Sequence, residues 1–401
     1  MQISGKKGEI LNKPLMSKPH ILFHRPTPWQ SELQCSTKTY AQLFSEAGYP
    51  VTYLQANSNL AHLALRKGYY HNYKLGSRFE GNIWVTGALS AIPHIDNKGK
   101  TLAQLTAANS YLTAMPSIKK LVSAGGHGAP QIIWTTIPGS SALKRIYPKA
   151  KLFFHVVDMY SAYRGSGIEY LEKTDYQKAD HLFVIGQALQ NYLQEKFQVP
   201  AEKITNLGQG VHLDQYEGTV AKPTALKNIK GPVAMWIGLT RKLDQSMLSA
   251  LSQAMQERGG SVVLIGPPCD WLPEFVEKHS NTHFLGPIKA AEVPAYLRHA
   301  QLGIMTYDRS RQEIYKGQHP LKLYEYAAAG LPVLCTPHEE FDTLQPPILE
   351  VRNEAETKEG VKSVFENYEA HKSAMLAFAQ KHSWRSCKLR AEEAFQKLDI
   401  L

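Results

Sequence analysis

The chain has 401 residues, 43% hydrophobic and 20% charged, which are ordinary globular values and enough for two domains with separate cores. No apolar run reaches membrane-spanning length. The four cysteines, Cys35, Cys269, Cys335 and Cys387, lack metal-ligand spacing, imply no structural zinc, and read as buried or free thiols in a reducing cytosol. The formal charge of +10 is uneven: residues 1–150 hold 17 Lys+Arg against 5 Asp+Glu, a balance of +12, and the remainder stands at −2. The first half is therefore expected to meet an anionic partner such as nucleic acid, anionic lipid or a pyrophosphate-linked acceptor; a solvated basic face is the plain alternative.

Residues 1–19 are polar and Lys-rich, do not read as a signal peptide, and are expected to be loose. Apolar runs then predict strands at 20–24, 51–54, 82–86, 131–135, 152–157, 181–185 and 204–207, with helices at 32–47, 101–123, 167–178 and 189–197 between them. The stretch 65–79 interleaves Arg66, Lys67, Lys74 and Arg78 with Tyr69, Tyr70, Tyr73 and Phe79. That composition suits a membrane interface, single-stranded nucleic acid, or a plain flexible loop. Asp158 closes the run KLFFHVVD, where ligand-facing groups of an α/β sheet sit; capping of the next turn is the alternative, and His155 reads as a core histidine.

Residues 218–231 are poor in apolar side chains and read as a linker. A second set of strands follows at 233–237, 262–265, 283–285, 302–306 and 333–335, and residues 354–401 read as helical throughout. Strands alternating with helices predict parallel α/β architecture. Two such halves put the natural site in the cleft between them, at the C-terminal strand ends. Gly238, Arg241 and Lys242 directly follow the strand at 233–237; glycine permits close backbone approach there, and the cations could reach a phosphate. No Gly-x-Gly-x-x-Gly fingerprint accompanies any strand, which argues against a dehydrogenase.

The most informative stretch is 307–334, YDRSRQEIYKGQHPLKLYEYAAAGLPVL. A short helix at 321–329 is stopped by Gly330 and Pro332, and Lys322 and Glu325, three apart, share one face of it. A cation and a carboxylate at the mouth of a crevice suit a ligand offering a diphosphate and a sugar diol; a surface ion pair is the plain alternative. The segment resembles the donor-binding helix of GT-B glycosyltransferases, closest to the xanthan-type bacterial glucuronosyltransferases. Tyr307, Leu321 and Lys322 keep that family's interval, with Leu321 in place of Met and Glu325 in place of Gln. The second glutamate of many GT-B enzymes is absent, its position being Gly317.

The resemblance implies a GT-B fold: two Rossmann-like domains with a cleft between them and a C-terminal helix, which contains Trp384, crossing back onto the first. The expected division is a loose segment 1–19, an acceptor domain 20–217, a linker 218–231, a nucleotide-sugar domain 232–380 and a crossing helix 381–401. Glu325 would hold the ribose and Lys322 would lie near the diphosphate, with Tyr307, Gly238, Arg241 and Lys242 around it. Gly286 and Ile288 would bracket the base. Asp158 would be the general base, with His24, Arg25 and Tyr160 at the acceptor. The loop at Gly208 and Gly210 resembles the hinge-proximal loop of GT-B chains, with His212 in place of Asp.

The expected activity is metal-independent, inverting transfer of a sugar, glucuronate by the resemblance, from a UDP donor to a lipid-linked or polysaccharide acceptor in bacterial surface-glycan synthesis. No cofactor is expected and no Asp-x-Asp pair stands at a strand end. The enzyme would work in the cytoplasm, peripherally on the inner face of the plasma membrane. A UDP-sugar epimerase and a basic nucleic-acid-binding protein are the alternatives, the latter lacking any recognised module.

Overall fold

A computed structural model of the chain describes residues 18–25, 27–31, 35–65, 74–161, 165–311 and 319–401. Most of the aromatic–basic stretch, 66–73, lies outside the described residues, as do 1–17 and Gly317. The first domain is built on an eight-stranded sheet. Its order is Ile204–Asn206, His181–Val184, Lys151–Val156, Ile132–Thr135, Ile21–Arg25, Val51–Gln55, Ile83–Thr86 and Arg78–Glu80. Every pairing is parallel except that of the last edge strand.

Helices cover both faces, so side chains of either parity are buried. Leu22, Leu54, Ile133 and Phe154 fill one side, while Ile21, Phe23, Tyr53, Trp134 and Phe153 fill the other. The second sheet runs Thr282–Gly286, Ser261–Ile265, Val233–Ile237, Leu302–Met305, Val333–Cys335 and Leu349–Glu350, all parallel. Taking these strands in chain order with Val233–Ile237 as the first gives 3-2-1-4-5-6, the doubly wound order.

The helix Trp384–Lys397 completes the first domain, not the second. Ser383 caps it by accepting from Ser386 N at 3.2 Å, and Trp384, Cys387, Ala391 and Phe395 enter the core made by Tyr40, Phe44, Trp134 and Phe153. Phe395 sits 4.8 Å from Phe153, centroid to centroid, and Tyr49 Oη donates to Glu392 Oε1 at 2.8 Å. The domains also meet at Glu340, 5% exposed, whose carboxylate accepts from Gln187 N at 2.9 Å and Ala188 N at 3.0 Å. A carboxylate at the first turn of the helix Gln187–Phe197 satisfies donors that helix geometry leaves open. A Cβ on Gly186 would come within 2.3 Å of Glu340 Oε2, so the contact needs glycine there.

Three expectations are corrected. The helix expected at 101–123 is two, Lys100–Leu112 and Ile118–Ser123, separated by the short strand Ala114–Met115; Pro116 has no N–H to give and restricts the residue before it. The tail is three helices, Glu354–Glu366, Tyr368–Lys381 and Trp384–Lys397, broken at Asn367 and at 382–383. The stretch 218–231 is no bare linker, since Leu226 and Ile229 are buried in the second core.

Inside the first domain, Asp175 is fully buried and accepts from Gly139 N at 2.6 Å and Ser141 N at 3.1 Å, which fixes the turn after Ile132–Thr135. Asp175→Ala is expected to lower the unfolding free energy by about 2–4 kcal/mol, since two buried N–H groups lose their acceptor. Burial raises this carboxyl from 3.8 to about 7, against weaker opposition from its hydrogen bonds. A raised folded value means that the ionisation-linked stability is present below about 4 and lost as pH rises through 7. Urea titrations should therefore show the gap between wild type and variant narrowing from pH 5 to pH 8.

Candidate functional site

The central strands of the second sheet, Val233–Ile237 and Leu302–Met305, part at the point where strand order reverses, and a ligand crevice opens there by topology. The first of them runs into Gly238, which has φ 142°, and whose N–H donates to Ile265 O at 2.9 Å. A Cβ on Gly238 would meet Lys322 Nζ at 2.8 Å, and one on Gly266 would meet Gly238 O at 1.8 Å. Bare backbone at both strand ends is what makes room for the lysine.

Lys322 opens the helix Leu321–Ala328, which follows Pro320 and closes at Gly330 with φ 70°. Tyr326 pins this helix over the sheet: its hydroxyl accepts from Ile237 N at 3.1 Å and reaches Met235 O at 3.3 Å. Lys322 Nζ thereby lies 3.2 Å from the Trp236 ring centroid and 5.2 Å from that of Tyr307, within cation–π range. Burial holds its ammonium well below the usual lysine value, Lys242 pushes the same way, and Glu325 opposes. Glu325 is raised by burial to about 7 and lines a small recess with Gly210, His212, Tyr216 and Trp384.

Lys242 is half-buried on the turn Thr240–Lys242. Burial lowers its value, while Asp158 of the first domain is near enough to counteract that, with Arg241 and Arg311 adding to the lowering. Lys242 and Asp158 thus act on each other across the cleft. Asp158 follows the strand Lys151–Val156 and its Oδ1 accepts from Met159 N at 2.9 Å. Arg241 is exposed, and its carbonyl accepts from Arg311 Nη1 at 3.5 Å. Gly286 ends its strand with φ 74° and accepts from Gly266 N at 3.0 Å, while Ile288 packs on the second core.

Tyr307, expected beside the diphosphate, is not open to the cleft. It is 3% exposed, with its ring edge-on to Trp236 and His338, so it supports Lys322 from beneath. His338, which sequence reasoning passed over, is also 3% exposed. Its Nδ1 lies 2.9 Å from Thr336 O and its ring stacks on Phe341. Burial lowers it to about 4, with the Lys322, Arg309 and Lys242 charges acting in the same direction, so it is neutral at pH 7. Its Nε2 has no hydrogen-bond partner among the described residues. The available signal was its place, three residues past the strand Val333–Cys335.

In the first domain a cavity of about 310 Å³ opens at the C-terminal ends of Ile21–Arg25, Val51–Gln55 and Ile132–Thr135, with His24 and Tyr160 in its lining. His24 is fully buried, with Nδ1 2.9 Å from Leu54 O and Nε2 2.9 Å from Tyr111 Oη, and burial lowers it to about 4. Arg25 departs from expectation: it does not line the cavity, and its guanidinium donates to Thr27 and Thr37 hydroxyls at 3.1 Å. His155 is a core residue that accepts from Trp134 Nε1 at 3.3 Å. Among the described residues no cluster of three or more His, Cys, Asp or Glu could hold a metal.

Residues 241–393 match a family model described as glycosyl transferase-like. A curated relative, "Putative teichuronic acid biosynthesis glycosyltransferase TuaH" of Bacillus subtilis (strain 168), is 26% identical over 251 residues. The matched stretch is 58% of this chain and 62% of the relative, less than two thirds of its length. Among solved structures, sucrose-phosphate synthase from Thermosynechococcus elongatus superposes with TM-score 0.65 at 12% identity, covering 95% of this chain and 99% of that one. Anabaena HepE in complex with UDP superposes with TM-score 0.62 at 15% identity, covering 95% and 100%. The fold is GT-B.

Proposed function

We propose that the chain is a glycosyltransferase that moves a sugar from a UDP donor held by the second domain to an acceptor held by the first, in bacterial surface-glycan synthesis. The observation that carries this reading is the meeting of Lys322 and Lys242 at the C-terminal end of the second sheet, facing Asp158 from the first. Two cations, one half-buried and poorly compensated, suit a departing diphosphate. Glu325, on the same helix face as Lys322, suits a ribose diol. The glycosyl transferase-like match and the UDP bound to a structural neighbour support the same donor class.

In finer terms we take the donor sugar to be glucuronate, whose carboxylate Arg241 and Arg311 would attract, and the transfer to be inverting and metal-independent. Calorimetry tests the donor site. UDP should bind with micromolar affinity, and binding should survive exhaustive treatment with a chelator. Absence of UDP binding, or tighter binding of a short oligonucleotide, would overturn the reading. Binding restored only by magnesium or manganese would overturn metal independence alone.

The first domain also suits peripheral attachment to the cytoplasmic face of the membrane, where a lipid-linked acceptor would be met. Leu105 and Leu112 stand on one face of the helix Lys100–Leu112 and are 59% and 47% exposed; Met115 and Leu60 are 58% and 53% exposed. Lys100, at the start of that helix, and Lys119 and Lys120, in the helix Ile118–Ser123, are exposed. Apolar side chains bordered by lysines suit an anionic bilayer surface. No helix among the described residues is long and apolar enough to cross a membrane. Co-sedimentation with anionic vesicles should exceed that with neutral ones several-fold, fall as salt rises, and drop in the double variant Leu105→Asp, Leu112→Asp. Equal pelleting with both vesicle types would refute attachment.

A further inference from the structure

The first-domain cavity has a chemistry that the charge of the surrounding half does not announce. None of the described residues lining it is a lysine or arginine, and Asp96 is its single carboxylate. The remainder are hydroxyls, amides and imidazoles, with Ala56, Ile92, Pro93, Ile137 and Pro138 supplying apolar wall. His24 is neutral at pH 7 and both its ring nitrogens are engaged, so it adds shape and not charge. Among the described residues, the lysines and arginines of 1–150 therefore lie outside the cavity.

The buried polar atoms on lining residues that have no hydrogen-bond partner among the described residues include Thr136 Oγ1 and Asn57 Oδ1. Thr136 is 1% exposed. Asn57 is held by its other amide atom, Nδ2, which donates to Ser110 O at 2.9 Å and so leaves Oδ1 as an open acceptor. Buried polar atoms are almost always paired, and a carboxamide oxygen beside a hydroxyl asks for a ligand that can donate and accept. At about 310 Å³ the cavity is at the small end of ligand pockets, roughly 300–1,000 Å³. It has room for one sugar ring. A pyranose offers hydroxyls around its rim and C–H faces to the apolar wall and the Tyr160 ring.

We propose that this cavity takes one uncharged sugar ring, the reacting residue of the acceptor, and rejects a uronate in that place. The proposal rests on the glycosyltransferase reading above. The cavity sits where strand order reverses in the first sheet, and Tyr160 in its lining belongs to the same strand-end segment as Asp158, two residues before it, the group proposed to take the acceptor's proton. A uronate carboxylate would lose its water beside Asp96 with no lysine or arginine in the described wall to compensate it, and buried unpaired charge is strongly disfavoured.

The test is saturation-transfer NMR on the full chain with UDP present. One set of probes is the methyl glycosides of glucose, galactose, mannose and N-acetylglucosamine; the other is the methyl glycosides of glucuronate and galacturonate. At least one neutral glycoside should receive saturation, and each uronoside at least fivefold less than the best neutral probe. Thr136→Val should weaken the best neutral probe about tenfold, as loss of a buried hydrogen bond does. Thr136→Ser should restore it, and UDP affinity should be the same in both variants.

Uronosides binding as well as the neutral probes, or Thr136→Val binding like wild type, would overturn the proposal. Saturation of UDP with none of any sugar would overturn it while leaving the donor reading intact. Sugar binding without UDP binding would instead overturn the donor reading and leave the cavity assignment standing.

Discussion

Lys322→Ala is expected to lower turnover by about 10²–10³-fold while the protein stays folded, the usual effect of removing one group that meets charge developing in the transition state. In the free protein this ammonium lies against Trp236, with Lys242 acting to repel its proton and only Glu325 and Cys335 acting to keep it. Its charged form is therefore costly until an anion arrives. Two further results follow.

A base held low in the folded state destabilises that state wherever the unfolded chain is protonated, and the penalty fades as pH rises through the ordinary lysine value. Lys322→Met, which keeps the volume and drops the charge, should thus melt no lower than wild type at pH 7. A diphosphate arriving beside Lys322 should also raise its value towards the ordinary one. UDP affinity read by calorimetry should therefore weaken as pH rises in wild type and weaken less in Lys322→Met. Unchanged turnover in Lys322→Ala would remove the diphosphate from this position.

Asp158→Asn is expected to lower kcat by about two orders of magnitude or more, with affinity for the UDP donor retained. In the proposed transfer, an acceptor hydroxyl oxygen would attack the anomeric carbon as the bond from that carbon to the phosphate oxygen breaks. UDP would leave with the electron pair, and the hydroxyl proton would pass to the Asp158 carboxylate. Asparagine keeps the shape and can still accept from Met159 N, so a residue serving only as a turn cap would leave rates near wild type. The same substitution removes the negative charge that faces Lys242, and the pH dependence of donor binding should shift accordingly. NMR of the product should show the anomeric configuration opposite to that of the donor. Retention would exclude direct displacement, whatever the variant does.

Buried strands were legible because a parallel sheet covered on both faces demands uninterrupted apolar runs. The strands Val233–Ile237 and Val333–Cys335 have the expected boundaries to the residue. The short strands Ser58–Asn59, Leu89–Ser90 and Ala114–Met115 were not legible, since two-residue pairings leave no periodic trace. They matter all the same, because Ser58, Asn59 and Ser90 help line the first-domain cavity.

The fate of His24 and Arg25 shows the limit of adjacency as an argument. Successive residues of a strand point to opposite faces, so one lines the cavity while the other turns toward Thr37. Lys322 and Glu325 were readable because helix spacing alone puts them side by side. His338 was not, because its neighbours Thr336 and Phe341 mark only a local turn, and Tyr307, which seats it under Lys322, comes from a different strand end.

The helix Trp384–Lys397 carries a further consequence, for the order in which the chain folds as it leaves the ribosome. The first domain's own strands are complete at Asn206, yet the side chains that close one of its cores arrive roughly 180 residues later, about 10–40 s at 5–20 residues per second. Until then Tyr40, Phe44, Trp134 and Phe153 face an unfilled groove, and the nascent first domain offers a sticky aromatic surface to whatever is near. Chaperone engagement during synthesis should therefore be strongest after the first domain has emerged and should end only when Phe395 does.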